Sequence, residues 1–125
     1  MSIEDNKDVA RRYMQAVVDG DIETIDALQH PECKWWILGY GEMDRATFIG
    51  MVREGLLSAK QRNINILALT AEDDRVAVMA EGEMIFDDSV YRNSYHNMLY
   101  IRDGQIVAGR EYMDTKASSE AFSAE

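Results

Sequence analysis

Apolar residues recur at helical spacing through the first half of the chain and at strand spacing through most of the second. Val9, Tyr13, Ala16 and Val17 form one stripe, preceded by Ser2 and Asp5 in the three-residue separation of a capping box, which predicts a first helix running to about Asp19. Gly20 suits a left-handed cap. Asp21 can then cap a shorter helix carrying Ile22, Ile25 and Leu28, which Pro31 stops. CKWWIL, residues 33–38, is a short apolar run suited to a strand, and GYGEM, residues 39–43, reads as a loop. Asp44 caps a third helix whose stripe is Phe48, Ile49, Val52 and Leu56 and which ends near Ala59. From Asn63 the period is two. NINILALTA, RVAVMAEGEMIF, YRNSYHNMLYIR and QIVAGREYMD are extended segments separated by the acidic turns EDD, DDS and DG, the pattern of an antiparallel meander. Helices followed by strands predict an α+β fold, three N-terminal helices packed on one face of a curved sheet. One domain is expected over residues 1–115, with no repeat or linker. The tail KASSEAFSAE, residues 116–125, lacks a sustained apolar pattern and is expected to be flexible.

The strongest local signal is Asp103-Gly104, because a type I′ hairpin turn needs positive φ at both central residues. A two-residue turn opposes Arg102 to Gln105. Counting outward then pairs Ile101 with Ile106, Leu99 with Ala108, Asn97 with Arg110, Tyr95 with Tyr112 and Asn93 with Asp114. Directly opposed residues share a face, so this surface is apolar near the turn and polar at its far end. Such a gradient belongs either to a pocket left open at one end by covering helices or to a solvated sheet end. Tyrosine and asparagine both donate and accept hydrogen bonds, which favours the pocket. In an apolar enclosure the pKa of Asp114 rises and the carboxylate becomes a usable proton acceptor, unless Arg110 holds it charged. The opposite face places His96 against Glu111 as an ion pair or dimer contact. Glu81 and Glu83 share a strand face: a three-residue loop at DDS turns both toward Asn93 and Tyr95, whereas a two-residue loop turns both outward. Trp35 and Trp36 point to opposite faces, so one of them, taken here as Trp36, walls the pocket. Tyr13 is expected in the core with its hydroxyl at the pocket rim.

Composition narrows the partners. The chain has 125 residues, 46% of them hydrophobic, enough to build a core without disulfides. Its formal charge of −10 disfavours nucleic acid and anionic membrane surfaces. No apolar run reaches the roughly 20 residues of a membrane-spanning helix. The single cysteine, Cys33, has no internal partner and the acidic start is unlike a signal peptide, so a cytoplasmic location is expected. Only His30 and His96 are available as histidine ligands, at no metal-binding spacing, and no phosphate-cradling glycine motif occurs; no metal and no cofactor are expected.

The element order, with CKWWILGYG, YRNSYHNMLYIRDGQIV and REYMDT in place, resembles the SnoaL-like, ketosteroid-isomerase-like branch of the NTF2-like superfamily. The resemblance implies a cone-shaped α+β domain enclosing a deep pocket, commonly a homodimer through the outer sheet face, among relatives that include polyketide cyclases, ketosteroid isomerases and limonene epoxide hydrolase. It puts Asp114 where epoxide hydrolases and cyclases of the superfamily keep a catalytic aspartate. The epoxide hydrolase's Arg and Asp, two apart on the long central strand, have Glu81 and Glu83 in their place. The ketosteroid isomerase base position falls in Lys34-Trp35-Trp36.

These readings combine into a small-molecule isomerase, cyclase or hydrolase working by acid–base chemistry on an apolar or cyclic substrate. Asp114 is the expected base, with Tyr95 and Tyr112 as its catalytic partners. Asn93, Asn97, Trp36, Glu81, Tyr13 and Arg110 are the expected substrate contacts. The alternative is a noncatalytic ligand-binding or dimerisation module of the same fold.

Overall fold

The computed structural model describes residues 2–122 and has the expected α+β architecture. α1 (Ile3–Asp19) starts at a true capping box: Asp5 N–H donates to Ser2 Oγ at 3.0 Å and Ser2 N–H to the Asp5 carboxylate at 3.1 Å. It ends at Gly20, whose φ of 67° lets its N–H turn back onto the carbonyls of Ala16 and Val17. α2 (Ile22–Ala27) is capped by Asp21 and α3 (Arg45–Ser58) by Asp44, through hydrogen bonds from the N–H groups of Thr24 and Thr47.

Six strands form one sheet: β1 (Gln29–Ile37), β2 (Gly41–Asp44), β3 (Gln61–Glu72), β4 (Arg75–Ile85), β5 (Val90–Arg102) and β6 (Gln105–Glu111), in the order β2-β1-β6-β5-β4-β3. The last four make the expected meander. β1 joins it parallel to β6, and part of the expected GYGEM loop is instead β2, paired antiparallel to β1. An extra residue at Leu67 in β3 and another at Val107 in β6 interrupt the ladders, and bulges of this kind bend a strand and increase its twist.

The core lies between the helices and one face of the sheet. Val76, Val78, Ala80, Leu99, Ile101 and Ile106 from the sheet meet Val9, Tyr13, Ile25 and Phe48 from the helices. Trp35 stacks between Phe48, at 4.0 Å between ring centroids, and Tyr13, at 5.6 Å, and its indole N–H donates to buried Gln29 at 3.1 Å. Where the sequence pattern predicts a flexible tail, Thr115–Phe122 form a helix, α4, whose first N–H groups are capped by the Asp114 carboxylate. Residues 123–125 of that tail lie outside the described residues.

Candidate functional site

The register of the last hairpin decides which side chains meet. Asp103 (φ 51°) and Gly104 (φ 78°) form the expected turn, and Arg102–Gln105 and Ile101–Ile106 pair as counted. Val107 is then the extra residue of the bulge, so Tyr100 opposes Ala108, Leu99 opposes Gly109 and Met98 opposes Arg110, with Tyr95 bridging to Met113. A one-residue slip moves every later side chain of that strand to the other face. Asn93, Tyr95, Asn97 and Leu99 still face the core. Their partners there are Gly109, Glu111 and Met113, in place of Arg110, Tyr112 and Asp114.

The consequences for the expected site residues are direct. Arg110 and Tyr112 stand on the outer face with Trp36: the Arg110 guanidinium lies 4.1 Å from the Trp36 ring centroid and donates to the Tyr112 hydroxyl at 2.9 Å. Trp35, paired with Gly109, is the inward tryptophan, and the indole fits only because Gly109 lacks a side chain. His96 faces outward opposite Tyr112, so it does not meet Glu111. The loop joining β4 and β5 spans four residues and pairs Ile85 with Val90, which turns Glu81 toward Ser94 and Glu83 toward Arg92 on the outer face. Asp114 is exposed. Its Oδ1 accepts from Lys116 N–H at 2.9 Å and Ala117 N–H at 3.2 Å as the cap of α4. With Glu81, Glu83, Arg92 and Ser94, and with Ile64, Gly82 and Asn93 of the inner face, it borders an open groove of about 650 Å³. Arg92 and Asn63 both engage Glu83 there, at 3.3 and 3.0 Å.

The inner face holds a different constellation. Val17 of α1, Ile49 and Val52 of α3, Ile64 and Ile66 of β3, Met84 of β4 and Met113 all pack against the core yet keep part of their surface open. Glu111 and Tyr95 lie on the same inner face of the sheet and share that intermediate exposure. Burial alone pushes the Glu111 carboxyl up to about 7, and none of the described residues donates a hydrogen bond to it. Burial holds the hydroxyls of Tyr13 and Tyr95 above their ordinary range, helped next by the Glu111 charge for Tyr13 and by the hydrogen bond to Tyr91 for Tyr95. These two phenols therefore stay neutral, and Tyr95 donates its proton to the Tyr91 hydroxyl at 3.1 Å.

Two inward asparagines fasten the segment that carries Glu111. Asn97 Oδ1 accepts from Tyr112 N–H at 3.2 Å, one residue past the carboxyl. Asn93 Oδ1 accepts from Asp114 N–H at 2.9 Å and its Nδ2 donates to Asp114 O at 3.0 Å, imitating a strand pair beyond the end of β6. Sequence reading therefore found Tyr13, Tyr95, Asn93 and Asn97 as inward residues and missed Glu111. The one available signal was its ordinary place in the alternation of REYMD, which the bulge reversed.

The match to known proteins agrees with this fold. The model of the SnoaL-like domain matches residues 10–109. The chain belongs to the SnoaL-like family. Among solved structures it is similar to an LEH-like epoxide hydrolase from M. tuberculosis, with a TM-score of 0.81 at 14% identity, covering 94% of this chain and 89% of that one. It is also similar to IdmH, a putative polyketide cyclase from Streptomyces antibioticus, with a TM-score of 0.78 at 18% identity over 90% of this chain and 94% of that one. An NTF2-like protein from Burkholderia xenovorans gives 0.73 at 20% identity over 97% and 98%. At these identities the likeness establishes the NTF2-like fold and leaves the reaction to the site itself. No curated protein sequence matches this SnoaL-like chain. Among its described residues no helix is long and apolar enough to cross a membrane.

Proposed function

We propose that the protein is a small-molecule enzyme, an isomerase, cyclase or hydrolase, in which Glu111 is the general base of an apolar hollow. The observation that carries this reading is a carboxyl group enclosed by the fold, lacking a hydrogen-bond partner among the described residues and pushed up to about 7 by burial. A base poised near neutral pH is present in its reactive form while remaining strong enough to take a proton. Tertiary structure normally pairs buried polar groups, so an unpaired carboxyl facing open space is a functional candidate.

In the reaction the Glu111 carboxylate removes a proton from a carbon next to a carbonyl, or from water beside an electrophilic carbon. For the carbonyl case the C–H electron pair moves into the carbon–oxygen system and the proton rests on Glu111, which returns it at another position. Tyr13 and the Nδ2 of Asn97 supply donors, because Asn97 Oδ1 is already committed to Tyr112 N–H and the planar amide turns its nitrogen away from that bond. Donors fixed in advance in a water-poor site stabilise developing negative charge without reorganising. The apolar lining favours an uncharged, cyclic substrate, and the carboxylate disfavours an anionic one.

The direct test is exchange of α-protons in D₂O for cyclohexanone and 2-tetralone, followed by proton NMR. The wild-type protein is expected to accelerate exchange, and Glu111→Gln to lose about 10²–10⁴-fold of the acceleration. Equal rates for the two proteins would remove Glu111 from this role.

The outer sheet face supports a second element of the proposal, a homodimer. Met79, Met98, Tyr100, Tyr112 and Trp36 lie on that face, with Met79 42% and Tyr112 38% exposed. This surface also accommodates the alternative of a noncatalytic dimerisation module, which the exchange experiment separates from catalysis.

A further inference from the structure

Two helices divide the inner face of the sheet between them. α1 packs on β3, β4 and β5, whereas α3 packs on β1 and β2. In the strand order β2-β1-β6-β5-β4-β3, β6 lies between the two territories, so the seam between the helices runs above it. Trp35 marks that seam: its ring sits against Gly109 of β6 and is stacked by Tyr13 from α1 and by Phe48 from α3. Glu111 follows two residues further along β6. Val17 of α1 and Ile49 and Val52 of α3 are the helix side chains that pack against the core and stay partly open.

The two helices are not held equally. α1 is capped at both ends and buries Asn6, Val9, Ala10, Tyr13, Met14 and Ala16. Of the 14 residues of α3 only Phe48 and Leu56 are fully buried, while Met51 and Leu57 are 41% and 56% exposed. Gly50 and Gly55 stand in its interior. Neither has a positive φ, and nothing lies within 4 Å of the place a Cβ would take at either one. Backbone and packing would both accept alanine, so what these glycines supply is a weaker helix, by a factor of about five each. The carboxyl end of α3 is clamped by Arg62, which donates to Leu56 O and Ala59 O. Ahead of the clamp the helix is tied by the Phe48 stack on Trp35 and by the Arg45–Asp26 ion pair at 2.6 Å, whose side chains both reach solvent.

We propose that the seam between α1 and α3 is the route by which a ligand reaches the inner face, and that the part of α3 ahead of the Arg62 clamp opens it by unwinding locally at Gly50 and Gly55. The proposal rests on the acid–base reading for one point only, that the ligand's destination is Glu111. Local openings draw on the elements with the fewest buried contacts and need far less free energy than global unfolding. α1 is then the fixed wall of the entrance and α3 the moving one.

Cys33 reports such an opening without being altered. It is the single cysteine, 1% exposed, in the core on β1 beside Arg45 of α3; burial pushes its thiol up to about 11 against the pull of that guanidinium. The probe is 4,4′-dithiodipyridine, an uncharged pair of aromatic rings. Attack by the Cys33 thiolate forms a mixed disulfide and releases 4-thiopyridone, which is followed by its ultraviolet absorbance. Where the rate is proportional to reagent concentration it measures the open population. Wild-type protein is expected to label through an opening with less than half the urea dependence of global unfolding. Gly50→Ala combined with Gly55→Ala is expected to slow labelling at least tenfold, and Arg53→Gly, exposed on α3, to speed it about fivefold. Arg12→Gly, exposed on α1, weakens the wall that stays in place and is expected to leave labelling within twofold of wild type. Labelling with the full urea dependence of global unfolding, a double-alanine variant within twofold of wild type, or equal acceleration by Arg12→Gly and Arg53→Gly overturns the proposal. Because labelling takes place at Cys33 and does not involve Glu111, the two readings fail separately. Equal α-proton exchange by wild type and Glu111→Gln, with Cys33 labelling as expected, removes the base and keeps the entrance; the reverse pattern removes only the entrance.

Discussion

Glu111 holds a proton in the folded protein at pH values where the unfolded chain has released it, because burial lifts its pKa from 4.5 to about 7. Folding therefore takes up a proton between those values, and stability falls as pH rises from about 4.5 to about 7, then levels off. At 1.36 kcal/mol per unit the full loss is about 3 kcal/mol, and water reaching the hollow reduces it. Glu111→Gln removes the ionisation but keeps the shape. It is expected to be about 1–3 kcal/mol more stable than wild type at about pH 8 and to lose that advantage at about pH 4, measured by urea unfolding at both values. An advantage of the same size at both pH values would mean that the carboxyl is not the source. Gly109 argues the complementary point for packing. A Cβ there would overlap the six-membered ring of Trp35, so Gly109→Ala is expected to cost at least 1–3 kcal/mol, and Trp35→Leu in the same chain to recover part of that cost. Additive losses in a double-mutant cycle would contradict the packing argument. At this scale the inward direction of Asn93, Tyr95 and Asn97 is legible from alternation alone, whereas Glu111 is invisible, because its face depends on a neighbour four residues away.

That neighbour is Val107, and the bulge it makes shows where local signals stop. Asp103-Gly104 specifies the turn and the first two pairs on either side of it. The slip beyond them is a nonlocal matter: Gly109 and Arg110 also pair with Trp35 and Trp36 of β1, in parallel, and the large Trp35 ring takes the place over Gly109. Nothing in QIVAG announces a strand that approaches from the other end of the chain. The helices are legible for the opposite reason, since Ser2, Asp21 and Asp44 act on N–H groups within three residues of themselves. α4 has the same kind of cap in Asp114, but its short sequence carries too few apolar positions for periodicity to be read. Arg62 then joins elements that lie far apart in the chain. From β3 its Nε donates to Val18 O at 3.1 Å and its Nη1 to Leu56 O at 2.7 Å and Ala59 O at 3.2 Å, tying the carboxyl ends of α1 and α3 to the sheet. Arg62→Ala leaves these carbonyls without their donor and is expected to cost about 2–4 kcal/mol, while Arg62→Lys cannot span both helices and recovers little. Hydrogen exchange should locate the loss in the last turns of α1 and α3. Unchanged protection there would sink the clamp.

For the whole molecule the relevant quantity is how charge and apolar surface are distributed over the outer sheet face. With a formal charge of −10 the chain repels its copies at long range. The outer face does not share that charge evenly. Glu81 and Glu83 lie toward one end of β4, whereas Met79, Met98, Tyr112 and Trp36 lie beyond them with Arg110 as the adjoining cation. A two-fold association through the apolar part hides those side chains twice over, and each protomer contributes the same patch. Long-range repulsion opposes this contact and salt screens it, with a Debye length of about 8 Å at physiological ionic strength. The proposed homodimer should therefore tighten as salt is raised, the reverse of an assembly held by ion pairs. Met79, 42% exposed and cross-strand from His96, is the position at which to interrupt it: Met79→Glu adds a charge that must be buried at the contact and has no structural cost in the isolated chain, because the side chain already faces water. Sedimentation velocity at micromolar concentration is expected to give a dimer for wild type and a folded monomer for Met79→Glu, whose melting temperature no longer depends on protein concentration. A variant that still sediments as a dimer, or a wild-type dimer that weakens in high salt, would exclude this face as the contact.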